Sequence, residues 1–242
     1  MTSTTNAAEI ERFNALAATW WDPRGPMWPL HELNEARAPF VLHTAVSHYG
    51  RSRSGLGPLA GLHVLDIGCG AGLLSEAMAR EGATVTGVDP ATRNISIARA
   101  HAQSSGLDID YRVGAVEDID LPPADIVLNM EVVEHVENLP AFMQRCCELT
   151  RPGGLHFVAT INRNPLSWLV AIVGAEYILR YLPRGTHQWR KFVKPCESAD
   201  LLASGGCSVI EQRGVAVNPV TRTCSVTGFT GVNYMQAACK HG

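Results

Sequence analysis

One stretch constrains the fold more than any other: Val-Leu-Asp-Ile-Gly-Cys-Gly-Ala-Gly over 64–72, answered by Asp89 at the end of the next apolar run. It reads as a strand, a glycine turn and a helix start, then a second strand ending in a carboxylate. That is the crossover used to bind nucleotide-type ligands. The glycines fall at 68, 70 and 72. The dinucleotide fingerprint has its third glycine one residue later, where this chain has Leu73. No Lys followed by Ser or Thr continues the turn in P-loop fashion. A tight turn with no cation nearby suits a ligand without a pyrophosphate, and S-adenosylmethionine is such a ligand. Its ribose hydroxyls need an acceptor, and Asp89 lies 21 residues past Gly68, where such a carboxylate falls.

The pattern around this crossover predicts an α/β fold. Strands are expected at 62–67, 83–88, 109–113, 125–130 and 155–161, with helices at 73–81, 92–105 and 138–149 between them. Such alternation implies a Rossmann-like, mostly parallel central sheet with helices on both faces. Before it, Ile10, Phe13, Leu16, Ala17, Trp20 and Trp21 share one face of a helix over 9–21, broken by Asp22-Pro23-Arg-Gly-Pro26. A second helix is expected at 32–48, interrupted or kinked at Pro39. Residues 51–58 read as a linker. Leu149-Thr-Arg-Pro152-Gly153-Gly154 reads as a turn into the next strand. Leu201–Asn218 and Thr230–Ala238 are expected to supply the last strands. The chain is therefore divided into an N-terminal helical cap (1–58), a cofactor-binding core (59–162), a helical insertion (163–194) and C-terminal strands (195–242).

Composition narrows the function. With 242 residues and 46% hydrophobic content, the chain can bury one large core. A net charge of −3 gives no general attraction to nucleic acid. Seven cysteines, with only Cys146 and Cys147 adjacent and no C-x-x-C, argue against a disulfide framework or a zinc knuckle. No apolar leader and no membrane-length apolar run is visible, so a cytoplasmic location is expected, or a mature form after import.

Ligands in such sheets bind at the carboxyl ends of the strands. The glycine turn with Asp89 lies there. Val116-Glu117-Asp118, after the third strand, is placed to meet an adenine edge or to be solvated. After the fourth strand comes Met130-Glu131-Val-Val-Glu134-His135-Val136. Glu131, Glu134 and His135 stand at i, i+3 and i+4, one face of a helical turn. Two carboxylates and an imidazole could hold a Mg²⁺-like cation. They could equally be acids favoured by a helix dipole, or leave His135 as a general base. Arg37 could clamp a carboxylate such as the methionine end of the cofactor. Trp20, Trp21 and Trp28 serve as lid and core, or wall an apolar pocket.

The glycine stretch, Asp89 and L-x-x-P-G-G at 149–154 resemble the class I S-adenosylmethionine methyltransferases. The narrower resemblance is to the ubiquinone-biosynthesis O-methyltransferases. It rests on F-N-A-L-A-A-T-W-W-D (13–22), P-L-H-E-L-N (29–34), E-V-V-E-H-V (131–136), G-A-E-Y-I-L-R-Y-L-P-R-G-T-H (174–187), K-F-V-K-P (191–195) and V-N-Y-M (232–235). It runs from about residue 9 to 240, with 90–94 and 220–231 departing from the pattern. The resemblance implies O-methylation of ring hydroxyls of a polyprenylated phenol or catechol such as a demethylubiquinol. It implies cofactor contacts at Arg37, Gly68, Gly70, Asp89 and Met130, and a divalent cation such as Mg²⁺ at Glu131, Glu134 and His135. If no metal is used, His135 is the catalytic base. A ubiquinone-biosynthesis complex is an implied partner, and nucleic acid is not. The alternatives are an O-methyltransferase of another pathway and a non-catalytic cofactor-binding scaffold.

Residues 166–182 are apolar on nearly every face, and Arg184, His187, Arg190, Lys191 and Lys194 follow. That composition fits an interfacial anchor on an anionic membrane surface, or a helical lid over the site. The anchor reading puts the protein at the periphery of the bacterial inner membrane, or on the matrix side for a processed eukaryotic form.

Overall fold

The computed structural model describes residues 4–52, 57–170, 188–218 and 221–242. Its centre is an eight-stranded sheet in the order β3-β2-β1-β4-β5-β8-β6-β7. The strands are β1 (His63–Ile67), β2 (Thr84–Asp89), β3 (Ile109–Val113), β4 (Ala124–Met130), β5 (Thr150–Ile161), β6 (Cys207–Asn218), β7 (Thr223–Thr227) and β8 (Asn233–Lys240). The first five pair in parallel, while β8 runs antiparallel to both β5 and β6. β1 and β4 carry the apolar runs Val64-Leu65 and Ile126-Val127-Leu128 because helices cover both faces. Val64, Ile126, Leu155 and Phe157 pack into one core layer, and Leu65, Val127, Val158 and Phe142 into the other.

The helices fall close to the expected spans: α3 (Leu73–Arg80), α4 (Thr92–Ser104) and α5 (Leu139–Glu148). α1 (Ala7–Leu16) is shorter than expected. Asn6 caps it, a short 3₁₀ turn follows at Ala17–Thr19, and Trp20 and Trp21 lie beyond the helix. α2 (Trp28–His48) begins earlier, with Pro29 in its first turn, where the missing N–H costs nothing. Pro39 lies inside α2 without interrupting it. Its neighbours Ala36, Phe40 and Val41 are buried against the sheet, and tertiary packing holds the helix together across the lost hydrogen bond.

Two further expectations are corrected. Pro152, Gly153 and Gly154 belong to β5 itself, in a bulge where the register against β4 shifts between Ala124 and Ile126. Leu201–Ser204 belong to α7 (Pro195–Ser204), capped by Glu197 against the Lys194 N–H, and only Cys207 onward is strand. β7 was not expected; it extends the sheet as a hairpin with β6. Between β5 and α7, a one-turn helix, α6 (Pro165–Ser167), leads away from the sheet, and 171–187, most of the suspected anchor, lie outside the described residues.

Candidate functional site

One cavity of about 270 Å³ lies over the carboxyl ends of β1, β2 and β4, with α1 and the start of α2 closing its far side. Gly68, Gly70, Asp89, Met130, Glu131, Glu134, His135, Glu117 and Arg37 all line it, so every expected site residue reaches a single space.

The turn after β1 uses its glycines for close approach. Gly70 has φ +56°, and a Cβ there would sit 2.4 Å from the ring of Trp20. The backbone thus faces Trp20 directly, which explains why a tryptophan beyond α1 is a wall of the pocket. Asp89 reaches back to this turn. Its Oδ2 accepts from the Gly70 N–H at 3.0 Å, and its Oδ1 accepts from Ala91 N–H at 2.8 Å. Burial pushes its carboxyl up to about 6 even though these hydrogen bonds oppose the shift.

Asp66, which the sequence reading passed over, is fully buried in β1 and accepts from Ser75 Oγ at 2.6 Å. Burial raises its carboxyl to about 7. An acid in the centre of an apolar strand was the available signal. Glu117 is held from outside the core: Oε1 accepts from Thr4 N–H at 2.6 Å and from Thr4 Oγ1 at 2.7 Å. The open alternative of a solvated acid is thereby removed.

The Glu131–His135 group departs from the expected helical face. Glu131 sits outside any helix at φ +61°, a strained backbone for a side-chain-bearing residue. Its N–H continues the β ladder by donating to Ala159 O at 2.8 Å, which keeps it in line with β4. Only Val133–His135 form a 3₁₀ turn. Each side chain has its own partner. Arg37, almost fully buried, donates from Nη2 to Glu131 Oε1 at 2.6 Å. Thr160 Oγ1 donates to Glu134 Oε2 at 2.9 Å. His135 Nδ1 meets Glu9 Oε2 at 2.9 Å. Arg37 and Glu131, expected to hold different ligands, thus hold each other. Burial, reinforced by the charge of Glu131, raises the Glu134 carboxyl to about 7. Burial lowers the imidazole of His135, but its hydrogen bond to Glu9 and the nearby carboxylates outweigh this and leave it raised.

Buried polar atoms without partners line the cavity: Trp20 Nε1, Arg37 Nε, Asn94 Oδ1 and Glu117 Oε2. Two donors and two acceptors around one apolar space suit a ligand bearing an adenine, a ribose and an amino-acid end. For a cation the fit is poorer: among the described residues the donor atoms of Glu131, Glu134 and His135 do not converge on one point within 4.8 Å. A cation there would compete with Arg37 for Glu131 and with Glu9 for His135.

The strand order, the glycine turn and the acid closing β2 define a class I S-adenosylmethionine-dependent methyltransferase. Residues 65–158 match the family model described as "Methyltransferase domain". The chain is 49% identical to the "Ubiquinone biosynthesis O-methyltransferase" of Methylobacterium nodulans, covering 95% of this chain and 93% of that protein. It is 47% identical to the protein of that name from Cereibacter sphaeroides, covering 99% and 98%. In fold it is similar to magnesium protoporphyrin IX methyltransferase from Synechocystis solved with bound S-adenosylhomocysteine. The TM-score is 0.67 at 16% identity, over 97% of this chain and 95% of that one. The chain belongs to the ubiquinone biosynthesis O-methyltransferase family.

Proposed function

We propose that this chain methylates ring hydroxyls of polyprenylated phenol and catechol intermediates of ubiquinone biosynthesis, at both O-methylation steps. Family membership supports the pathway. The observation that carries the chemistry is the lining of one cavity by the Gly68–Gly70 turn, Asp89 and the Glu131, Glu134, His135 group.

In this reading Gly68, Gly70, Asp89 and Met130 hold the cofactor, with Arg37 at its carboxylate end. S-adenosylmethionine, when bound, supplies an electrophilic methyl on a cationic sulfur. The protein's task is to present a ring oxygen stripped of its proton. His135 can take that proton: its Nδ1 is engaged by Glu9, which leaves Nε2 for the substrate and stabilises the imidazolium formed. The apolar wall of Phe13, Trp20, Met27 and Leu33 excludes water and suits an aromatic ring. A divalent cation, such as Mg²⁺, held by Glu131, Glu134 and His135 would acidify the hydroxyl instead.

The same reading places the protein at an anionic membrane surface, where a polyprenyl tail resides, and in contact with other enzymes of the pathway. Leu166, Trp168, Leu169 and Val170 are all more than 40% exposed where the chain leaves the sheet. Among the described residues, no helix is long and apolar enough to cross a membrane. Sedimentation with anionic vesicles should carry the protein down and weaken with salt. Absence of binding at low salt removes the membrane from the proposal.

The substrate class is tested by offering demethylubiquinol analogues with and without a short prenyl chain, together with methyl-labelled cofactor. Label should enter the ring oxygen of the prenylated compound with the higher kcat/KM. Equal use of catechols lacking any chain would move the protein to another pathway.

A further inference from the structure

Of the donors Cys147, His156 and Cys207, the last lies 60 residues past the first, so cysteine spacing did not reveal them. Topology gathers them where α5 meets β5 and the start of β6, and none of them lines the methyl-transfer cavity. Cys147 comes from the last turn of α5, His156 from β5, and Cys207 opens β6. All three are fully buried. Their donor atoms lie within 4.8 Å of one another, with Cys147 Sγ 3.6 Å from His156 Nδ1. Among the described residues this is the only group of His, Cys, Asp and Glu donors that converges so closely.

From these contacts we infer a second ligand site: Cys147, His156 and Cys207 bind one thiophilic metal ion, Zn²⁺ or a close equivalent. Zn–S bonds of about 2.3 Å and Zn–N bonds of about 2.05 Å at a tetrahedral angle give an S···N edge of about 3.6 Å, the separation found here. Two thiolates against a divalent ion are neutral overall, which a sheet core can hold and a bare thiolate pair cannot. The imidazole is also oriented as a ligand. A metal-bound histidine turns its other ring N–H to a fixed acceptor. His156 Nε2 lies 2.9 Å from Asn129 Nδ2, a donor, while Asn129 Oδ1 is buried with no partner. With that amide turned over, Asn129 Oδ1 would accept from Nε2–H and leave Nδ1 free for the metal. Gly205 leaves the space the sulfur needs, since a Cβ there would lie 2.5 Å from Cys147 Sγ. Such an ion would pin α5 and the start of β6 to β5. Asn129 lies next to Met130, so the site would also brace the strand end that leads to Glu131.

The test is Co²⁺ binding to the reduced, full-length chain under anaerobic conditions. One equivalent should produce a thiolate-to-cobalt charge-transfer band with the strong d–d absorption of a low-coordinate site, and Zn²⁺ should bleach both. The band should vanish in Cys147→Ser and Cys207→Ser and survive in Cys224→Ser and His135→Ala. The Glu131, Glu134, His135 group has no sulfur and cannot give it, so this result is separate from the metal question at the methyl-transfer site. Zn²⁺ at a thousandfold excess over Kd should raise the wild-type Tm by roughly 8–16 °C. Should the serine variants fail to fold, the wild-type spectrum and thermal shift decide alone. No charge-transfer band and no thermal shift overturns the inference. So does a native mass two hydrogens low with Cys147 disulfide-linked to Cys207.

Discussion

At the scale of single residues, the site works by opposing burial with hydrogen bonds. Asp89 is the clearest case: burial raises its carboxyl, and the Gly70 and Ala91 N–H groups hold it where a ribose would need it. Asp89→Ala should weaken cofactor binding by about 1.5–3 kcal/mol, the range for charged hydrogen bonds, read by calorimetry on folded protein. The Glu9–His135 pair gives a pH signature. A base must be neutral to accept a proton, and Glu9 raises the imidazole, so activity of the metal-free protein should climb with pH through that raised value. In Glu9→Gln the climb should move to lower pH. An unmoved profile removes His135 as the base. Position in the sequence pointed to Asp89, Arg37 and the E-x-x-E-H run, and all of them line the one cavity. Their partners were hidden, since Glu9 lies 126 positions from His135 and Thr4 lies 113 from Glu117. No local pattern encodes such contacts.

At the scale of elements, the alternating strands and helices of the core were legible to within a residue or two, apart from the start of β5, because periodicity and glycine punctuation are local. The misses came where tertiary packing overrides local preference. Pro39 is carried through α2 by the buried face on either side of it, and the Gly153–Gly154 turn is absorbed into β5 as a bulge. The N-terminal cap proved more than a cap, since α1 and the residues before it supply Thr4, Glu9 and Phe13 to the cavity. Deleting residues 1–16 should therefore leave the sheet folded by circular dichroism and lower kcat/KM at least about tenfold, because the Glu9 hydrogen bond is lost with it. Retained activity would make α1 a mere cover.

At the scale of the molecule, a buried acid in β1 links stability to pH. Asp66 has a folded-state value of about 7 against 3.8 for an exposed carboxyl. The folded state then binds the proton more tightly than the unfolded one. Its contribution is full at low pH and is lost as pH rises through about 7. The ligand-free protein should lose stability between about pH 4 and 7 in urea titrations, and Asp66→Asn should reduce that slope, leaving the part due to Asp89 and Glu134. The overall architecture was readable because one glycine crossover dictates a parallel sheet. The added β7 hairpin was not, because an edge strand of mixed polarity leaves only a weak alternation to detect.

The central claim is that one cavity joins the cofactor turn to a proton-accepting or cation-holding group at the end of β4. Single-turnover transfer of labelled methyl to a prenylated catechol analogue tests it most directly, measured with Mg²⁺ and after exhaustive chelation. Wild type should form the labelled ether, and Asp89→Ala and Glu134→Ala should each lose most of the rate while remaining folded. Undiminished transfer in both variants, or none in the wild type under either condition, would contradict the account.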